Sequence, residues 1–149
     1  VWATTYRGIY PDEMIDQYDF DCHAARDVLR ITDARNDVFL AWDGGRCVGY
    51  FYYGPCGYGS YRDFELCLNS LYFLPEYRRM GLGRRVFAQL KAACRARNIR
   101  KFFCGCSCHN APAQTFYRKM GGIVGEVHDG HADKAEDILY FEFYLGENV

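Results

Sequence analysis

The chain has 149 residues, half of them hydrophobic and a quarter charged, with 13 Tyr, 11 Phe and 2 Trp. That is the size and composition of one aromatic-rich globular domain, spanning 1–149, and it excludes disordered, collagen-like and coiled-coil classes. The net charge of −1 hides an asymmetry: between residues 76 and 101, nine Lys and Arg stand against the single acid Glu76, a local charge of +8 suited to an anionic ligand.

The predicted elements follow in chain order. Residues 11–31 read as one helix, with Pro11 in its first turn and Asp12 and Glu13 beside it. Strands over 37–43 and 46–54 flank Gly44-Gly45, a two-residue hairpin signal. Residues 54–60 form a Gly-rich loop, and 64–74 read as a third strand stopped by Pro75. A helix over 81–97 carries Leu82, Val86, Leu90, Ala93 and Cys94 on one stripe and basic residues on much of the opposite side. A strand over 100–106, a helix over 110–120 closed by Gly121-Gly122 and a strand over 123–127 come next. A polar loop over 128–136 and a last strand over 138–145 complete the order. This is a mixed α/β domain with helices covering a central sheet.

Eight cysteines lie at 22, 47, 56, 67, 94, 104, 106 and 108, mostly within apolar runs. They are expected to be reduced and mostly buried rather than a disulfide framework. Cys104, Cys106 and Cys108 alternate onto one face of a strand. Their sulfurs would stand about 6–7 Å apart along it, too far for one metal ion, so no metal is expected. No apolar run approaches the about 20 residues of a membrane helix, and no signal-peptide segment opens the chain. The expected location is cytoplasmic.

The chemistry concentrates in Leu71-Tyr72-Phe73-Leu74-Pro75-Glu76-Tyr77-Arg78-Arg79-Met80-Gly81-Leu82-Gly83-Arg84. A strand runs into a turn with two glycines and then into a helix N-terminus, where backbone N–H groups and the helix dipole favour an anion. Gly81 and Gly83 let phosphate oxygens approach the backbone, and Arg78, Arg79, Arg84 and Arg85 add full charges. Neither a Walker loop nor a dinucleotide fingerprint fits, since Val86 stands where the third glycine would be.

Arg78-Arg79-Met80-Gly81-Leu82-Gly83 resembles the Arg/Gln-x-x-Gly-x-Gly/Ala signature of the GNAT superfamily of N-acetyltransferases. Asn110-Ala111-Pro112-Ala113-Gln114-Thr115-Phe116-Tyr117-Arg118-Lys119-Met120-Gly121 resembles that family's Asn-x-x-Ala-x-x-x-Tyr-x-x-x-Gly pattern at the expected distance. The resemblance runs over nearly the whole chain, with the family's first strand and most of its first helix missing from this sequence. It implies a GNAT-like, mostly antiparallel central sheet flanked by helices. The implied function is an acetyl-CoA-dependent N-acetyltransferase acting by direct attack of a small-molecule or peptide amine. In that scheme the amides and side chains of Arg78, Arg79, Met80, Gly81, Leu82, Gly83 and Arg84 hold the CoA pyrophosphate. The strand edge at Leu71, Tyr72 and Phe73 binds the pantetheine arm, Asn110 bonds that arm from the next helix, and Tyr117 protonates the departing thiolate. A phenol of pKa about 10 suits that donor role.

The acceptor side departs from the family pattern. The strand position that carries a Glu in histone-type members is Cys67, and the position of the ribosomal-type Glu is Gly105. Glu65 remains the candidate base, on the same strand face as Cys67 and Asn69 by alternation, and histone-type or ribosomal-type acceptors are not expected. The missing glutamates keep open a second reading, a non-catalytic acyl-CoA-binding or regulatory domain. Acceptor specificity is expected in 11–31, 55–63 and 128–136, with the aromatic run Tyr50–Tyr53 helping to line a pocket. Homodimers are common in the resembling family while the sequence leaves the oligomeric state of this chain open, and nucleic acid is not expected as a partner.

Overall fold

A computed structural model of the chain describes residues 2–55 and 59–146; Cys56, Gly57 and Tyr58 of the expected acceptor loop lie outside the described residues. Helices α1 (Trp2–Tyr6) and α2 (Asp12–Asp16) precede α3 (Phe20–Thr32). The single helix expected over 11–31 is thus two. The chain leaves helical geometry after Asp16, and extended Asp19 starts a new helix by accepting the Cys22 N–H at 2.8 Å. A short acidic side chain capping its own third residue competes well with helix continuation.

The hairpin forms as expected, β1 (Asp37–Asp43) against β2 (Arg46–Gly54), with Gly44 at φ +56° in the turn. Then come β3 (Cys67–Phe73), α4 (Leu82–Ala96), β4 (Lys101–Ser107), α5 (Ala111–Lys119), β5 (Ile123–His128) and β6 (Ile138–Tyr144). The third strand therefore starts three residues later than its apolar run suggests. Phe64 N–H instead closes a turn onto the Tyr61 carbonyl, and the side chains of Tyr61 and Phe64 pack against Phe103 on β4.

The six strands lie in the order β1-β2-β3-β4-β6-β5. Every neighbouring pair is antiparallel except β3 and β4, which run parallel and pair only at Cys67–Phe103 and Leu68–Cys104. Beyond Leu68 and Cys104 the two strands splay apart. A bulge sits at that point: Tyr52 pairs with Ser70 and Tyr53 with Leu68, leaving Asn69 as the extra residue. The bulge resets the alternation, so Leu66 and Leu68 before it and Leu71 and Phe73 after it all serve the same core.

That core lies between the sheet and the α4–α5 pair. Val86, Phe87, Leu90 and Cys94 of α4 meet Phe51, Tyr53, Phe102, Cys104, Phe141 and Phe143 of the sheet, with Tyr117 from α5. Phe87, off the expected stripe, is at its centre. The opposite face carries a smaller cluster of Tyr61, Phe64, Cys67 and Phe103, and contacts of Tyr6 with Tyr72 and of Arg30 with Tyr52 put α1 and α3 on that side. Cys67, Cys94, Cys104 and Cys106 are buried and Cys108 half-buried, while Cys22 and Cys47 are exposed; all six and Cys108 are free thiols.

Candidate active site

Two elements built by the strand–turn–helix motif define one end of the site. After Pro75 a 3-10 turn (Pro75–Tyr77) delivers the chain to Arg79 at φ +62° and Gly81 at φ +80°. Gly81 is the N-cap of α4 and offers no side-chain cap, so the first amides of α4 face outward as a ready anion site. Arg79 and Arg84 are exposed at its rim. Arg78 is used differently: its Nε donates to the Phe73 carbonyl at 3.1 Å and its Nη2 to Thr5 Oγ1 at 3.0 Å. It ties the end of β3 to α1 instead of pointing freely at the turn. The two glycines also differ. A Cβ at Gly81 would meet nothing within 4 Å, whereas one at Gly83 would come within 2.7 Å of the Phe116 ring. Gly81 supplies backbone conformation, and Gly83 lets α5 close on α4.

The splay between β3 and β4 forms the second part. Strand alternation sends alternate amides of Asn69–Phe73 toward β2 and the rest toward the gap. Beneath the gap lies Tyr117 of α5, buried against Phe141 and Phe87. Burial pushes its phenol well above the usual range, reinforced by the neighbouring thiols of Cys104 and Cys106 and by Tyr72 and Tyr6. The proton therefore stays on Tyr117 at neutral pH, so it can be given but not taken there, although burial makes the phenol a weaker acid than an ordinary tyrosine. Asn110 caps α5 by accepting the Ala113 N–H at 3.1 Å, leaving its amide NH2 facing the other way. Gln114 adds a bond to the Cys108 carbonyl at 2.8 Å, fixing the entry of α5 against the end of β4. The sequence motifs thus converge: cradle, gap and phenol are brought together on the α4–α5 side.

Glu65 is placed otherwise. It precedes β3 in a bend and is exposed, so strand alternation does not put it on a face with Cys67 and Asn69. The aromatic run divides as alternation requires, Phe51 and Tyr53 entering the core. Tyr50 and Tyr52 turn to the other face, where Arg30 lies 5.7 Å from the Tyr52 ring and burial pushes Tyr50 up to about 12.

The polar loop over 128–136 is more ordered than its composition suggests. Asp137, 1% exposed, lies 2.8 Å from His109 Nε2 and 2.9 Å from His131 Nδ1, and it accepts the His131 N–H at 3.0 Å. His109 holds its carboxyl well below the ordinary range, with His131 and then Lys134 adding to the effect. This hub pins the loop to the junction of β4 and α5. Periodicity gives no hint of it, because its partners are 28 and 6 residues away from Asp137. Among the described residues, no group of three or more His, Cys, Asp or Glu could hold a metal ion, and no helix is long and apolar enough to cross a membrane.

Comparison with known proteins identifies the family and the fold. Residues 2–122 match the Acetyltransferase (GNAT) family. A relative from Mycobacterium tuberculosis (strain ATCC 25618 / H37Rv), described as an uncharacterized N-acetyltransferase, is 29% identical over 114 residues, covering 76% of this chain and 70% of its own. A GNAT-family acetyltransferase structure from Desulfovibrio desulfuricans superposes with a TM-score of 0.70 at 19% identity, over 97% of this chain and 89% of the other. The PaiA N-acetyltransferase of Thermoplasma acidophilum, solved in complex with coenzyme A, gives 0.69 at 20% identity over 96% and 85%.

Proposed function

The chain belongs to the Acetyltransferase (GNAT) family, and from that premise we propose that its 149 residues act as one domain transferring the acetyl group of acetyl-CoA to a small-molecule or peptide amine. The observation that carries this reading is the splay of β3 from β4, with an anion cradle at one end and a buried, protonated Tyr117 beneath it.

The donor's pyrophosphate sits on the amides from Met80 to Arg84, with Arg79 and Arg84 as counter-charges. Its pantetheine arm takes the place of missing strand pairing along Leu71, Tyr72 and Phe73, and Asn110 bonds it through the amide NH2. The acceptor, mostly ammonium near pH 7, first loses a proton. Its nitrogen lone pair then forms the new C–N bond at the thioester carbonyl, the C–S bond breaks, Tyr117 gives its proton to the departing sulfur, and the second proton shed by the acylated nitrogen restores the Tyr117 phenol. Glu65, exposed and ahead of β3, takes the acceptor's proton through water rather than directly.

Tyr117→Phe keeps the ring and removes the proton donor. Turnover is expected to fall by at least about tenfold while acetyl-CoA affinity, measured by calorimetry, stays the same. Unchanged turnover removes Tyr117 from the chemistry. One observation favours a second reading: with Glu65 off the strand, no carboxylate of the expected set lies at the gap. A non-catalytic acyl-CoA-binding domain would bind acetyl-CoA in preference to ATP and free phosphate yet turn over no amine in a broad panel.

A further inference from the structure

The vertex of the splay is a cysteine. Cys104 is the last residue of β4 to pair with β3, opposite Leu68, and on its other side it pairs with Phe141 of β6. Its side chain enters the core and is 0% exposed. Tyr117, rising from α5, packs its ring on Phe141 with centroids 5.5 Å apart. That puts the phenol beneath the same vertex, where the Cys104 thiol and the Tyr117 hydroxyl share a side-chain hydrogen bond. The transfer chemistry uses the phenol and gives the thiol no task. Packing alone asks only for a small apolar side chain there.

The two partners are unequal. Burial holds the thiol of Cys104 well above its ordinary range, so its sulfur stays protonated and neutral. A neutral thiol is a weak acceptor, whereas a sulfur gaining negative charge draws a hydrogen bond roughly twice as strong as a neutral one does. A phenol resting on Cys104 is therefore aimed without being trapped. An oxygen acceptor in that place would hold the hydroxyl harder and compete with the departing sulfur.

We propose that Cys104 is a positioning residue, the resting partner of the Tyr117 hydroxyl at the vertex of the splay, and that it yields this hydroxyl to the donor's sulfur. The proposal rests on the transferase reading and adds to it a residue that lies in neither sequence motif. When the donor loads, the phenol exchanges one sulfur partner for another. When the C–S bond breaks, the proton passes from Tyr117 to the sulfur of CoA, and Cys104 keeps its own proton throughout.

The test needs no acceptor amine. CoA and desulfo-CoA, which carries hydrogen in place of the thiol, are each titrated by calorimetry, and the ratio of their affinities isolates the sulfur. A residue that acts by packing alone moves both affinities together and leaves that ratio unchanged. The parent chain is expected to prefer CoA by about tenfold, the worth of one hydrogen bond, and Tyr117→Phe to lose most of that preference. Cys104→Ser supplies a stronger acceptor of similar size, so the preference is expected to shrink by about threefold. Cys104→Ala removes the resting partner, so the preference is expected to grow by about threefold. The alanine variant decides the matter if the buried serine hydroxyl prevents folding, and desulfo-CoA affinity near the parent value shows that a variant is folded. A parent-like ratio in either folded Cys104 variant overturns the proposal and leaves the transferase reading standing. A preference that survives Tyr117→Phe overturns the proposal together with the phenol's part in the transfer. Failure of CoA to bind the parent chain overturns the transferase reading and this one with it.

Discussion

Gly81 and Arg79 show how much one turn asks of single residues. Both take positive φ, which costs an L-residue about 1 kcal/mol or more unless a side chain can settle locally. At Gly81 space is open, so Gly81→Ala tests conformation alone: urea unfolding is expected to show a loss of about 1 kcal/mol. Acetyl-CoA affinity should fall as well, because the same φ aims the first amides of α4. Gly83→Ala tests the other effect, since its methyl would press on Phe116. A change there should loosen α5 against α4 and alter Tyr117-dependent turnover more than donor affinity. If both variants weaken acetyl-CoA equally and nothing else, the division of labour between the two glycines is wrong.

At the level of elements, the loop before β6 depends on Asp137. A carboxyl whose pKa is lowered by folding binds its proton less tightly in the folded than in the unfolded chain. Its contribution is therefore complete above the unfolded value of about 3.9 and drains away as pH falls toward the depressed folded value. Urea midpoints of the wild-type chain are expected to drop as pH is lowered below about 5, and Asp137→Asn should be less stable at pH 7 and lose part of that slope. A variant with the wild-type pH profile would show that His109 and His131 do not hold the loop through this group. The same scale shows what the sequence discloses. Helix α4, helix α5 and the hairpin were legible because apolar period, Gly turns and caps agree within each segment. The break at Asp19 is not legible because an apolar, acidic helix pattern continues through it, and only the cap decides. The start of β3 is hidden in the sequence because Phe64 is apolar for packing on Phe103 rather than for strand pairing. The motif residues of the cradle were readable from local order. The pairing of Cys104 with Tyr117 and the Asp137 hub were not, since each joins residues that only the folded sheet brings near.

Over the whole molecule, charge is segregated along the chain: the +8 segment of residues 76–101 leaves the remainder at −9. The donor is polyanionic and the proposed acceptor cationic, so the two binding steps should respond differently to salt. Going from about 0.01 M to 0.15 M salt cuts the screening length from about 30 to 8 Å. Acetyl-CoA affinity is expected to weaken over that range far more than the half-saturating concentration of a turned-over amine changes, as calorimetry and turnover at matched salt would reveal. Equal sensitivity would mean that the arginines around the turn do not contribute to donor binding.

The parallel contact of β3 with β4, two residue pairs long, makes the six strands two three-stranded halves joined at a narrow seam. A bound donor lying in the gap supplies bonds that would otherwise come from a neighbouring strand, so it is in effect a seventh structural piece. Amides of Ser70–Phe73 that point away from β2 should then exchange with deuterium readily in the free chain and become protected when the donor binds, tying the rigidity of the sheet to the loading of its substrate.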